Sequence, residues 1–239
     1  MAGSGKRKKN AEWTEVDDEL FTNLRNAVRE FLKSKLSSGE IPDPEHGLYV
    51  LGCFVLFDWD ASRVSLYHIT EDKYQSRIES KPKEKANYYR WSMVEYGTEF
   101  ICHKELIAIW DAYDIDSIDE ESQELAIDEF KGRTQFALIQ ALKDVERTGL
   151  LGISESREKL TLLSGGTNNE ESLDYQSLTI SVNSLNSAAI ADQFIENWMK
   201  LIGVEGDAAD WVSGLTRLIN GKRVKVNKTT LGRLLSKKK

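Results

Sequence analysis

The chain has 239 residues, of which 40% are hydrophobic and 30% charged, a composition that excludes wholesale disorder and a fibrous class and is long enough to bury a sizeable core. The net charge of −7 is uneven: residues 1–10 contribute +4 and residues 222–239 contribute +8, which leaves −19 on residues 11–221. An acidic body of this kind repels nucleic acid from most of its surface, while two basic ends can touch phosphates or acidic proteins, or simply be solvated termini.

No run reaches the roughly 18–20 consecutive apolar residues of a membrane helix, and the opening Met1-Ala2-Gly3-Ser4-Gly5-Lys6-Arg7-Lys8-Lys9 lacks the apolar stretch of a signal peptide. Cys53 and Cys102 have no disulfide-framework or zinc spacing, so reduced structural thiols in the cytoplasm are expected.

In chain order, the first periodic segment is Trp13 to Leu36, where Val16, Leu20, Leu24, Ala27, Val28 and Phe31 recur at helical spacing. Thr14 offers an N-cap, and Glu15, Asp17 and Asp18 suit the positive end of the helix dipole. Gly39, Pro42 and Pro44 then interrupt the pattern. The apolar run Leu48 to Phe57 reads as a strand buried on both faces, and Val64, Leu66, Tyr67 and Ile69 form its hairpin partner across a polar turn at 58–62.

Thr70 caps a helix beginning at Glu71 and Asp72, which weakens by Lys81-Pro82. Asn87 to Gly97 concentrates Tyr88, Tyr89, Arg90, Trp91, Glu95 and Tyr96. A helix is expected over Thr98 to Tyr113, with Ile101, Ile107 and Trp110 inward. An acidic stretch at 114–124 leads into a long helix, Ser122 to Thr148, whose Ile127, Phe130, Ala137, Leu138, Ala141, Leu142 and Val145 face one way before a Gly149 cap.

Leu160 to Leu163 and Leu178 to Val182 read as short strands around a Gly-Gly-Thr-Asn-Asn turn at 165–169. Ser187 to Ile202 and Asp207 to Asn220 read as helices. The expected class is α+β or mixed α/β, a small, mainly antiparallel sheet packed by several helices, with a helical C-terminal appendage. The expected organisation is a basic N-terminus at 1–12, one mixed domain at 13–203, and the appendage with its basic tail at 204–239.

Chemistry is sparse. His46, His68 and His103 lie at no metal-ligand spacing, and His68 fits a packed or edge position in the second strand. There is no G-x-S-x-G elbow, phosphate loop or G-x-G-x-x-G turn, and no cofactor or metal is expected. One pattern imitates a metal-dependent nuclease: Asp58 or Asp60 at a strand end, followed by Glu71-x-Lys73. The same E-x-K spacing recurs at Glu79/Lys81 and Glu129/Lys131, and helix capping explains the acid at Glu71 equally well. The segment around Tyr89, Arg90, Trp91 and Glu95 is a candidate partner-binding surface, because Tyr, Trp and Arg are enriched at interface hot spots. As pure structure, its rings fill a core edge while Arg90 stacks on one of them and pairs with Glu95.

A hairpin ending in Ile69-Thr70-Glu71, then Tyr89-Arg90-Trp91-Ser92 with Glu95, the helix end Ala141-Leu142-Lys143 before Gly149, and Ser181-Val182-Asn183-Ser184-Leu185-Asn186 together resemble the bacterial family called domain of unknown function four-three-zero-three, over residues 15–200. The family brings no established catalytic residues to carry over. Occurrence of similar proteins near bacterial toxin and immunity genes implies a binding or neutralising protein.

Three functions are compatible with these residues. The first is a non-enzymatic intracellular protein-binding module, an immunity or defence-accessory protein whose acidic body engages a basic partner. The second is the nuclease using Asp58, Asp60, Glu71 and Lys73. The third is nucleic-acid binding through Lys222, Arg223, Lys225, Lys228 and Arg233 of the basic tail.

Overall fold

A computed structural model describes residues 17–57, 63–79, 81, 86–91, 96, 99–117, 119–168, 172–173 and 175–199. The first helix, α1, is Asp18–Ser38; Asp17 is its N-cap, its Oδ1 accepting the Glu19 N–H at 2.8 Å, and the expected cap Thr14 lies outside the described residues. Gly39 closes it in the left-handed conformation at φ +77°. A short 3-10 turn, Pro44–His46, then feeds strand β1, Leu48–Phe57. Strand β2, Arg63–Thr70, pairs antiparallel with β1, so the expected hairpin partners are present; the turn between them lies outside the described residues.

Thr70 Oγ1 accepts the Lys73 N–H at 3.3 Å and caps α2, Glu71–Ile78, which ends before Lys81 as expected. Helix α3 is Ala86–Trp91 and strand β3 is Glu99–Ile101, joined antiparallel to the outer edge of β2. Helix α4, His103–Tyr113, begins after Cys102 at φ +57°. The single helix expected over 98–113 is thus a strand and a helix, because Glu99, Phe100 and Ile101 complete the ladder with β2. Leu106 and Ile109 point inward rather than Ile107, which is exposed.

The long helix α5, Glu120–Glu146, covers the expected segment but for its last two residues, which form a turn. Its second half buries Ala137, Leu138, Ile139, Ala141, Leu142 and Val145, more than one face, because it lies against both α1 and the sheet. The short α6, Ser154–Arg157, precedes strand β4, Thr161–Asn168, which lies parallel to β1; the two-residue strand β5, Ser172–Leu173, adds antiparallel. The sheet order is β3-β2-β1-β4-β5, antiparallel in every pairing except the central β1/β4. A parallel neighbour requires a long crossover, which residues 71–160 supply.

Two expectations fail in the last part. The Gly-Gly segment expected as a turn lies inside β4: a Cβ on Gly165 would sit 2.7 Å from the Phe54 ring, so the glycine admits close packing rather than a reversal. The stretch Leu178 to Val182 expected as a strand belongs to α7, Tyr175–Leu185. Its buried residues Leu178, Ser181, Val182 and Leu185 recur at helical spacing, and burial on that face overrides the β-branched composition. Helix α8, Ala188–Phe194, continues as a π-helical turn to Met199. The helix expected at 207–220 and the appendage at 204–239 lie outside the described residues.

The sheet divides the core into two. One side packs Leu51, Cys53, Val55, Val64, Leu66 and Leu162 under α1, α4 and α5. The other packs Tyr49, Val50, Phe54, Tyr67, Ile69 and Leu163 with side chains of α2, α3, α7 and α8. The β1 run is buried along its described length, as both faces of the sheet are covered. Among the described residues no helix is long and apolar enough to cross a membrane.

Candidate functional site

A grouping of aromatic and charged side chains lies where β1 begins, β2 ends and α2 and α3 meet. The Leu48↔Thr70 pairing brings the start of one strand beside the end of the other, and the Glu71 N–H donates to Gly47 O at 2.8 Å, which fixes the first turn of α2 there. Between Leu48↔Thr70 and Val50↔Ile69 strand β1 carries one extra residue, Tyr49. This bulge puts Tyr49 and Val50 together on the same side of the sheet, and bulges commonly re-aim a side chain in this way.

Tyr49, Tyr74 of α2 and Trp91 of α3 form a platform. Tyr49 meets Tyr74 edge-on at 6.0 Å between ring centres and Trp91 at 6.3 Å; Trp91 in turn meets Phe194 of α8 at 5.2 Å. Arg90 lies across the platform, its guanidinium carbon 4.8 Å from the Tyr49 ring centre, 5.2 Å from Tyr74 and 5.9 Å from Trp91. The Tyr49 hydroxyl donates to the backbone carbonyl of Arg90 at 2.9 Å, so both the main chain and the side chain of this residue are held. Burial drives the Tyr49 phenol well above its ordinary range, which keeps it a neutral donor.

Glu71 completes the group. Its Oε2 is 3.8 Å from Arg90 Nη2, and its Oε1 accepts from Gln75 Nε2 at 2.8 Å. Among the described residues the acid beside Arg90 is Glu71; Glu95, its expected partner, lies outside them. Of the proposed contact residues, Trp91 is buried, with 4% of its surface exposed, and serves as the floor of the platform rather than as an exposed anchor. Arg90 keeps a side chain one third exposed (33%). Tyr89 lies on α3, and its side chain is outside what is described. Tyr49 and Tyr74 were not legible as site residues, since in sequence each looks like an ordinary core aromatic.

The nuclease pattern is split. Asp58 and Asp60 lie outside the described residues. Glu71 turns to Arg90 and Gln75, whereas Lys73 Nζ lies 3.0 Å from His68 Nε2. Residues i and i+2 of a helix do not share a face, which explains the divergence. Burial first, and then the Lys73 charge, push the His68 pKa down. No group of three or more His, Cys, Asp or Glu among the described residues is placed to hold a metal ion. The tail candidates Lys222, Arg223, Lys225, Lys228 and Arg233 also lie outside the described residues.

The segment Ser181 to Asn186 has a structural role. Strand β4 pairs with β1 on one side, which leaves the N–H and C=O of alternate residues on the other. Asn186 answers Leu162 at two points, its Oδ1 accepting the Leu162 N–H and its Nδ2 donating to Leu162 O, both at 2.8 Å. Ser181 Oγ accepts the Ser164 N–H at 2.6 Å, and Gln135 Nε2 of α5 donates to Ser164 O at 2.9 Å. Side chains of α5, of α7 and of the residue just after α7 thus take the place of a further strand at this point of the edge.

The family model described as Domain of unknown function (DUF4303) matches residues 24–181, more than half of the chain, and the chain belongs to that family. The match takes in Glu71, Tyr74, Arg90 and Trp91 and ends at Ser181, short of Asn186. No curated protein and no solved structure matches the chain.

Proposed function

We propose that this member of the family is a non-enzymatic protein-binding module, an immunity or defence-accessory protein that meets a basic partner. The observation that carries the reading is the distribution of acid: residues 11–221 hold −19, and Asp111, Asp114, Asp116, Asp119 and Glu120 are all exposed around the turn from α4 to α5. A surface of this sign raises the local concentration of a cationic protein and speeds encounter more than it deepens affinity. Arg90 on its platform is the second element, since a held, partly exposed arginine over aromatic rings has the composition of an interface anchor.

The test begins with a tagged full-length chain, treated with nuclease and used to capture partners from its host at moderate salt. Association rates of any stoichiometric basic protein are then measured across ionic strength. The expected result is an on-rate that falls steeply with salt, and falls by about tenfold when the five exposed acids at 111–120 become amides. An on-rate indifferent to salt removes the reading.

A further inference from the structure

The binding reading leaves open what Arg90 itself recognises. Its side chain is two-thirds covered, its guanidinium lies on Tyr49 and Tyr74, and its backbone carbonyl is held by the Tyr49 hydroxyl. Yet among the described residues none of its N–H groups makes a hydrogen bond; the one polar neighbour, Glu71, stands at 3.8 Å, beyond hydrogen-bond reach. A planar cation with a fork of five donors, stacked on rings and making no hydrogen bond to the described residues, is organised for two parallel N–H···O bonds to a planar anion.

We infer that Arg90 is a receptor for a carboxylate presented by the protein partner, with Tyr49 and Tyr74 as its platform and Glu71 as the internal competitor that the carboxylate displaces. The inference rests on the protein-binding reading and gives it a division of labour. The acidic body draws in a basic surface, and one carboxylate on that surface sets the register at Arg90. Net repulsion from the body weakens the binding of a free anion, and a carrier of the opposite charge offsets that repulsion. Glu71 has a second partner in Gln75, which retains it when the arginine is taken.

The test follows the Arg90 Nε–Hε signal of the ¹⁵N-labelled full chain by NMR, assigned by its loss in Arg90→Lys. Sodium acetate is titrated against sodium chloride at constant ionic strength, with inorganic phosphate as a separate arm. Acetate is expected to give a saturable shift with a Kd on the order of 10 mM. Glu71→Gln should tighten that Kd roughly fivefold, by removing the competing charge at a partly exposed site. A shift that does not saturate, an equal response to chloride, saturation by phosphate but not acetate, or weaker binding in Glu71→Gln each overturns the proposal. Should Arg90→Lys fail to fold, the same signal is assigned through the backbone of Arg90 and read in the wild type and Glu71→Gln. Acetate binding alongside salt-indifferent partner association would retain the receptor and remove the steering; the reverse pair of results would do the opposite.

Discussion

Replacing Asn186 by alanine removes one side chain and leaves two backbone groups of β4 without partners. The Leu162 N–H and C=O each lose a 2.8 Å bond, and Val182 O loses its 2.9 Å contact with Nδ2. An unsatisfied buried backbone group costs about 1–3 kcal/mol. Leu162 is fully buried, but Asn186 is only partly so, and water entering the vacated space offsets some of the loss. The expected destabilisation is therefore about 2–3 kcal/mol. Asn186→Asp keeps the acceptor for the Leu162 N–H but sets a carboxylate against the Leu162 and Val182 carbonyls, so it should cost at least as much. Urea unfolding followed by far-UV circular dichroism reads both variants, and the midpoint should fall with the slope unchanged, since the same surface is exposed on unfolding. A loss below about 0.5 kcal/mol, the level of an ordinary surface substitution, would refute the edge-sealing role.

Trp91→Ala should cost about 3–5 kcal/mol in the same assay, as a buried ring is removed, whereas Arg90→Lys should cost less than about 1 kcal/mol; comparable losses would contradict the division between floor and surface. Gly52→Ala places a Cβ within the van der Waals surface of the Tyr67 ring and should destabilise by about 3 kcal/mol, and a neutral outcome would mean the ring is not fixed over β1. His68 makes the chain more stable at higher pH. Its pKa is lowered by folding, so the unfolded chain binds the proton more readily, and the contribution is present above about pH 6.5 and lost as pH falls through the unfolded and then the folded value. His68→Gln should flatten the stability profile as pH falls below about 6.5, and an unchanged slope would assign that dependence to other groups.

Local patterns determined much of this protein. The apolar run at 48–57, the Thr70 cap, the long helix before Gly149 and the mixed class were all legible, because burial on one or both faces and end-capping write periodicities and residue types directly into the chain. The family was legible too, from the motif residues that the matched span largely contains. The failures were long-range. Nothing local distinguishes a Gly-Gly turn from a Gly165 that admits Phe54, or the β-branched stretch of α7 from a strand, until the neighbours are in place. Of the site, Arg90 and Glu71 stood out as residues but under separate readings. Only the tertiary structure joined them, because the antiparallel β1/β2 register sets residues 47–49 beside 70–71 and a one-residue bulge turns Tyr49 under an arginine 41 positions away. Sequence spacing encodes faces of single elements; which faces meet is decided by the packing of the whole.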